Sequence, residues 1–209
     1  MNKIKPYITI VAIGLWVLGS GCDREDNVST IINFAVIELQ GDEYVYLNPG
    51  DEFTDPGATA TENEQEINVN VSGTVDTATP GVYEVVYSAQ NSEGFEASET
   101  RYVIVRNENY DPSIDITGSY DRGGNPAVVT ARDDQGLYFT TNGWGSSSVI
   151  PFEFVDLGGG ELQIVPSTTV FGPVSGTGTI NDPEGDLVFF VTLSAFGIVD
   201  SKRVFTKVE

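Results

Sequence analysis

Hydrophobic and polar residues alternate with a period of two through most of the chain after residue 30. In one such stretch, Tyr83, Val85, Tyr87 and Ala89 occupy one face, and Val82, Glu84, Val86 and Ser88 occupy the other. This period is typical of a β-strand that buries one face, whereas a helix would repeat every 3.6 residues. The pattern therefore predicts an all-β protein.

Turn sequences divide residues 30–107 into about seven short strands, which predicts a small β-sandwich. These turns are Asn48-Pro49-Gly50-Asp51, Asp55-Pro56-Gly57, Thr79-Pro80-Gly81 and Asn91-Ser92-Glu93-Gly94. We expect Asp55 to cap a turn rather than to bind a metal. We also expect Tyr83 or Tyr87 to form the corner hydrogen bond that is common in such sandwiches.

A polar segment, 108–115, separates this region from a second run of strands and is predicted to be a linker. The second run contains eight candidate strands, at 116–120, 127–131, 137–141, 151–156, 161–165, 176–180, 187–193 and 203–208. Short turns rich in Gly, Asp or Pro join them, which predicts an antiparallel meander over 116–209, either a barrel or a sandwich. Because 187–193 is almost continuously apolar, we expect a central strand buried on both sides.

The N-terminus has the order of a secretory signal. Lys3 and Lys5 precede an apolar run over 7–18, small residues follow, and the single cysteine of the chain is Cys22. The run is shorter than the ~20 residues of a comfortable membrane span. We therefore predict a signal peptide over 1–21; the alternative is a free cysteine in a transmembrane anchor.

The segment Leu18-Gly19-Ser20-Gly21-Cys22 resembles a bacterial lipobox, except that the usual apolar residue three before the cysteine is Gly19. The resemblance implies a diacylglycerol on Cys22, cleavage before it, and anchoring in a membrane by the lipid chains. The tether, 22–29, begins with an acidic run over 23–26 that resembles the export signal of Bacteroidetes-type surface lipoproteins. That signal implies the outer face of the outer membrane; the alternative is a merely solvated tether.

Residues 30–107 resemble the bacterial surface immunoglobulin-like domain, which recurs in Bacteroidetes lipoproteins. The matching positions are Gly50, Phe53, Asp55-Pro56-Gly57-Ala58, Val75-Asp76, Gly81-Val82-Tyr83, Tyr87, Gly94, Arg101, Val103 and Val105. The turn at 91–95 departs from the Asp and Gly-Asn pair that the family usually carries. The resemblance implies an immunoglobulin-like sandwich acting as a spacer or interaction module.

The whole arrangement resembles small accessory lipoproteins of Bacteroidetes, encoded beside starch-utilisation-like (Sus-like) uptake systems. The C-terminal segments that carry this resemblance are GSYDRGG, GLYFTTNGWG, FGPVSGTGTI and LVFFVTL. The resemblance implies partners: a TonB-dependent transporter and its lid lipoprotein, in complexes that import peptides or glycans. The alternatives are a stand-alone glycan-binding lipoprotein and a structural or adhesive spacer.

Composition narrows the chemistry. Acidic residues outnumber basic ones 31 to 10, and the net charge of -21 excludes a nucleic-acid partner. The chain has no histidine, so it lacks Ser-His and Cys-His pairs and histidine metal sites. We predict no catalytic residue, no cofactor and no metal, and we interpret the acidic runs 133–136 and 181–186 as turns. A hydrolase with two carboxylates is the least favoured alternative.

The loop 140–148 carries the residue predicted to contact a ligand or partner, Trp144, between two glycines. Exposed tryptophans stack on sugars or pack on peptides and are enriched at binding hot spots. Tyr138 and Asn142 precede Trp144 and complete the predicted contact set. The alternative is that Trp144 folds back over the end of a barrel as a plug.

Overall fold

A computed structural model describes residues 33–181 and 185–208 of the chain. The predicted signal peptide 1–21, the lipidation site Cys22, the tether 22–29 and much of the acidic turn 181–186 lie outside the described residues. The described part consists of strands and one 3-10 helix, Ser194–Phe196, and it belongs to one compact unit. Within it, no helix is long and apolar enough to cross a membrane.

The first half forms the predicted sandwich of two sheets. Its strands are β1 Val36–Leu39, β2 Tyr44–Leu47, β3 Ala58–Glu62, β4 Gln65–Ile67, β5 Asn70–Ser72, β6 Gly81–Gln90 and β7 Glu96–Val105. One sheet has the order β1-β3-β4 and the other β2-β7-β6-β5. Strand β2 runs parallel to β7, and the other pairs are antiparallel.

Alternating side chains of β6 and β7 fill the space between the two sheets. Val85, Tyr87 and Val103 are buried there and pack against partly buried residues of the facing strands, such as Ile37 and Leu39. Of the two tyrosines predicted to form the corner hydrogen bond, Tyr83 forms it. Tyr83 lies nearer the start of the strand and donates its hydroxyl proton to the carbonyl oxygen of Thr79 at 2.8 Å.

An ion pair inside the sandwich links the sheets. Arg101 of β7 is fully buried and pairs with Asp55, which also accepts hydrogen bonds from the Tyr87 hydroxyl and, at 3.2 Å, from the Gly57 amide. The prediction that Asp55 caps a turn is therefore confirmed. Arg101 also donates to two main-chain carbonyls, those of Gln40 at 2.5 Å and Asp42 at 2.9 Å. One guanidinium thus binds groups from both the β1–β2 loop and the β2–β3 loop, each of which connects the two sheets.

The second half forms a closed eight-stranded barrel. Its strands are β8 Gly118–Asp121, β9 Pro126–Ala131, β10 Leu137–Thr140, β11 Phe152–Gly158, β12 Glu161–Thr169, β13 Gly172–Asn181, β14 Asp186–Leu193 and β15 Ile198–Val208. Each strand pairs antiparallel with the next, and β15 closes on β8. The predicted meander is confirmed, and of its two forms the chain adopts the barrel. Closure leaves the barrel without free sheet edges.

Aromatic rings fill the barrel. Phe154 and Phe189 lie at the centre, 5.0 Å apart between ring centroids, and Phe152 and Phe205 contact Phe189 edge to face. Glycine is required where the wall approaches these rings, since a Cβ on Gly143 would lie 2.0 Å from the Phe152 ring. The aromatic cluster therefore fixes both the contents of the barrel and the path of its end loop.

The prediction that residues 187–193 are buried on both sides is wrong. Along β14, buried residues alternate with half-buried ones: Leu187, Phe189 and Val191 face the interior, whereas Val188 and Phe190 lie on the outer face. In a barrel the outer face of even a central strand borders solvent. The apolar outer residues reflect partial cover on that face rather than a second core.

Candidate functional site

The sandwich and the barrel pack against each other along a buried interface, here called the seam. At its centre Ile104 of β7 packs with Val155 and Leu157 of β11, and Tyr44 and Tyr46 of β2 flank them. Two polar contacts extend the seam: the amide of Val82 donates to Gln163 at 3.0 Å, and the Tyr102 hydroxyl to the carbonyl of Pro166 at 2.9 Å. The outer face of the four-stranded sheet is therefore covered by β11 and β12.

Arg106 closes one end of the seam. Its guanidinium lies 4.4 Å from the ring centroid of Tyr46 and 3.8 Å from that of Tyr110, a residue of the predicted linker 108–115. The Tyr46 hydroxyl donates to Asp133 on the barrel. Tyr110 fits closely beside Gly158, where a Cβ would lie 2.6 Å from the Tyr110 Cα. The connection between the two halves is thus packed in place.

A groove opens at the other end of the seam, with a volume of about 460 Å³. We call it the junction groove. The sandwich contributes one wall and the barrel the other, and the lining residues that matter below are Glu43, Tyr44, Tyr102, Phe139, Glu153 and Val165. The rings of Tyr44 and Tyr102 are stacked, 5.3 Å between centroids. The groove therefore has aromatic and aliphatic walls with carboxylates at its edge.

Carboxylates set the electrostatics of the junction groove. Glu153 accepts a hydrogen bond from the Tyr44 hydroxyl at 2.8 Å and pairs with Arg132 at 2.8 Å. The pKa of Glu43 is raised, first by burial and then by repulsion from Glu153 and Glu99. Burial, followed by the charges of Glu84, Glu43 and Glu153, raises the pKa of Tyr102 to about 12. Negative charge thus accumulates around the aromatic walls.

A second depression, of about 590 Å³, adjoins the junction groove and shares Tyr102, Ser167 and Thr168 with it. Glu84 lies on its sandwich side, and burial raises the pKa of that carboxyl. The two depressions follow the line where β7 and β12 face each other. Among the described residues, no three His, Cys, Asp or Glu side chains cluster as a metal ion would require.

Trp144 lies at one end of the barrel and packs against its core. The guanidinium of Arg203 lies 3.3 Å from the ring centroid, and the pKa of Arg203 is lowered, first by burial and then by the Arg122 charge. Arg122 also donates to the carbonyl of Gly145 at 2.9 Å. This is the plug position, with one ring face covered; a partner contact through Trp144 stays a prediction.

The other two residues of the predicted contact set are buried. Tyr138 stacks on Phe154 inside the barrel, 5.6 Å between ring centroids, and its hydroxyl donates to the carbonyl of Ile114 at 3.3 Å. Asn142 accepts from the amide of Gly145 at 3.1 Å and donates to the carbonyl of Ser146 at 3.2 Å. The Asn142 side chain holds the Trp144 loop and the Tyr138 ring packs inside the barrel, and neither residue lines the junction groove.

Sequence reasoning missed the junction groove. Its walls come from strands far apart in the chain, and Tyr44 bonds to a residue 109 positions away. One pattern could have indicated it: β2 reads Tyr-Val-Tyr-Leu, apolar on both faces. A strand with two apolar faces in a two-sheet sandwich has one face left for a further partner, which here is the barrel.

Residues 37–105 match the family described as bacterial surface protein, Ig-like domain. The match covers the sandwich from β1 to β7. The chain therefore contains an immunoglobulin-like domain of the kind found in bacterial surface proteins, joined to a closed antiparallel barrel. No curated protein matches the sequence.

The solved structures that are distantly similar include the following three. A lipoprotein from Bacteroides thetaiotaomicron is 23% identical; the match covers 84% of this chain and 100% of that one, with a TM-score of 0.37. The M60 catalytic domain of Clostridium perfringens ZmpB with its CBM51-1 and CBM51-2 domains is 20% identical. The match covers 77% of this chain and 14% of that chain, with a TM-score of 0.32.

The third structure, ZmpB CBM51-2 in complex with GlcNAc and INT domains, is 16% identical. The match covers 74% of this chain and 29% of that chain, with a TM-score of 0.30. This chain thus spans only a small part of either ZmpB chain. At TM-scores this low, none of the three structures assigns a function to it.

Proposed function

We propose that the protein is a non-enzymatic surface lipoprotein, anchored in the outer membrane through acylated Cys22, and an accessory or binding component of a Sus-like, TonB-dependent uptake complex for peptides or glycans. The observation that carries the proposal is the match of residues 37–105 to a surface-protein domain, in a chain whose N-terminus resembles a lipoprotein signal. Residues 1–21 would be removed, and residues 22–29 would tether the folded part.

The packing of the two halves supports a role in binding. The seam buries Ile104, Val155 and Leu157 and is closed by Arg106, so sandwich and barrel present their surfaces in one fixed arrangement. Pre-organised surfaces lose little conformational entropy when they bind. A tethered, rigid and strongly acidic protein is suited to contact with a transporter, its lid or their cargo.

Co-purification tests this proposal. We expect a C-terminally tagged protein, extracted from its native cells in mild detergent, to bring down a large barrel transporter and its lid lipoprotein in comparable amounts. Mass spectrometry of the eluate identifies them. A Cys22→Ser variant expressed at the same level is the control, and it should bring down neither because it lacks the anchor.

Recovery of the protein alone would contradict the proposal. In that case, retention of the wild type on a polysaccharide gel, lost in Trp144→Ala, would instead support a stand-alone glycan-binding lipoprotein. Absence of both partner and ligand would favour the spacer. Each outcome therefore selects one of the alternatives.

A further inference from the structure

Strand β2 provides a comparison between two similar environments. Tyr44 and Tyr46 lie two residues apart, so both face the barrel. Each hydroxyl donates to a barrel carboxylate, Tyr44 to Glu153 and Tyr46 to Asp133. Over Tyr46, the guanidinium of Arg106 lies 4.4 Å from the ring centroid. Within the part of the chain that the structure describes, Tyr44 has no such guanidinium: its ring stacks on that of Tyr102, and both tyrosines line the junction groove.

The charge around the junction groove is not balanced. Glu153 is paired with Arg132. For Glu43 and Glu84, no basic side chain lies within ion-pair distance in the described part of the chain. Glu43 lines the junction groove and Glu84 the adjoining depression. Both residues are exposed at the surface, and partial burial of their carboxyl groups raises the pKa of each. A cation beside these carboxylates would compensate their charge.

We propose that the junction groove binds the cationic side chain of an extended peptide, an arginine guanidinium or a lysine ammonium. The charge lies against the stacked rings of Tyr44 and Tyr102, as Arg106 lies against Tyr46, and the carboxylate of Glu43 faces it. The hydrocarbon stem packs on the apolar wall that includes Val165. This inference rests on the proposed binding function and selects peptide over glycan.

Charge and hydrogen bonding favour the peptide. A neutral sugar requires polar partners for its hydroxyls. The hydroxyls of Tyr44 and Tyr102 already donate to Glu153 and to the Pro166 carbonyl, so a sugar would depend mainly on Ser167 and Thr168. A neutral ligand would also desolvate Glu43 without compensating its charge. The adjoining depression, with Glu84 on its side, extends the site along β7 for the residues that flank the cationic side chain.

Binding of two matched peptides tests the inference. The probes are the capped pentapeptide Ala-Ala-Arg-Ala-Ala and the same peptide with citrulline, which has nearly the shape of arginine but no charge. Calorimetry with the full-length protein in mild detergent should give a dissociation constant below about 1 mM for the arginine peptide. The citrulline peptide should bind at least about tenfold more weakly.

Two variants locate the binding. The double variant Glu43→Gln, Glu84→Gln should bind the arginine peptide about tenfold more weakly than the wild type does, and its affinity for the citrulline peptide should barely change. Glu38→Gln is the matched control: Glu38 is exposed on β1, in the other sheet, and its substitution should leave both peptides unchanged. Thermal unfolding of all three proteins verifies that they are equally folded.

Equal binding of the two peptides, no binding of either, or equal effects of the Glu43/Glu84 and Glu38 substitutions would each overturn the inference. Its failure is distinguishable from failure of the proposed function. If the protein co-purifies with a transporter but binds both peptides equally, the proposed function stands and the site in the junction groove is disproved. If the protein prefers the arginine peptide but purifies alone, the site in the junction groove stands and the proposed uptake complex is disproved.

Discussion

Replacing Arg101 by methionine should destabilise the sandwich by about 3–5 kcal/mol, the usual cost of removing one partner of a buried ion pair. Arg101 is fully buried, and its loss leaves Asp55 without its counter-charge and the carbonyls of Gln40 and Asp42 without donors. Peptide-resolved hydrogen exchange over β6 and β7 measures the loss, as exchange about a hundredfold faster or more.

The matched control is Arg132→Met, which breaks the only other ion pair among the described residues. The Arg132 side chain is 54% exposed, so this substitution should cost less than about 1 kcal/mol. Equal costs for the two variants would contradict the role assigned to Arg101. Comparing the two variants separates the effect of burial on stability from the effect of having an ion pair at all.

The pH dependence of the stability difference between wild type and Arg101→Met gives a second readout. Burial alone would raise the pKa of Asp55, but hydrogen bonds from Tyr87 and Gly57 and the charge of Arg101 outweigh it and hold the pKa below its usual value. The stabilisation by the ion pair is therefore complete above the unfolded pKa of about 3.9 and is lost as the pH falls through the folded pKa. The gap between wild type and Arg101→Met should narrow in acid; a gap unchanged down to the acid limit of folding would contradict this.

Phe154→Ala should destabilise the barrel by about 3–5 kcal/mol. The Phe154 side chain is fully buried and contacts the rings of Tyr138, Phe152 and Phe189. Its removal leaves a cavity, which the strands of the closed barrel cannot move inward to fill. Urea unfolding followed by fluorescence measures the effect, because Trp144 packs against this core and reports on the barrel.

Phe196→Ala is the control for this substitution. Phe196 is 61% exposed in the helix after β14, and truncating it should change the stability by less than about 1 kcal/mol. A Phe154→Ala barrel as stable as the control would mean that the aromatic cluster does not hold the fold together. Agreement of both results would establish the aromatic interior as its main support.

The fold was largely predictable because its elements are defined locally. Each of the eight barrel strands lies between short turns rich in Gly, Asp or Pro, and period-two alternation marks the buried face. The exception, 187–193, shows the limit of that reasoning. An apolar residue such as Phe190 on an outer face looks like core in sequence, and only the closed topology shows that this face borders solvent.

The junction groove was not predictable because it depends on the packing of the two halves. Nothing near Tyr44 in sequence indicates that Glu153 will accept its hydrogen bond, or that Arg106 will cover Tyr46 but not Tyr44. Glycines on both sides of Trp144 indicate an exposed loop in sequence. In the structure Gly145 has a positive φ and Gly143 leaves room for the Phe152 ring, so the loop turns over the barrel end. Composition indicates which residues could bind a ligand, and the docking of sandwich on barrel decides which of them can reach it.

The most direct test of the account is mass spectrometry of the mature N-terminus of the protein purified from membranes of its native cells. A lipid-anchored protein should give a chain that begins at Cys22 and carries a diacylglycerol on its thiol. A chain that begins elsewhere, or an unmodified Cys22, would contradict a lipid-anchored binding protein at the cell surface.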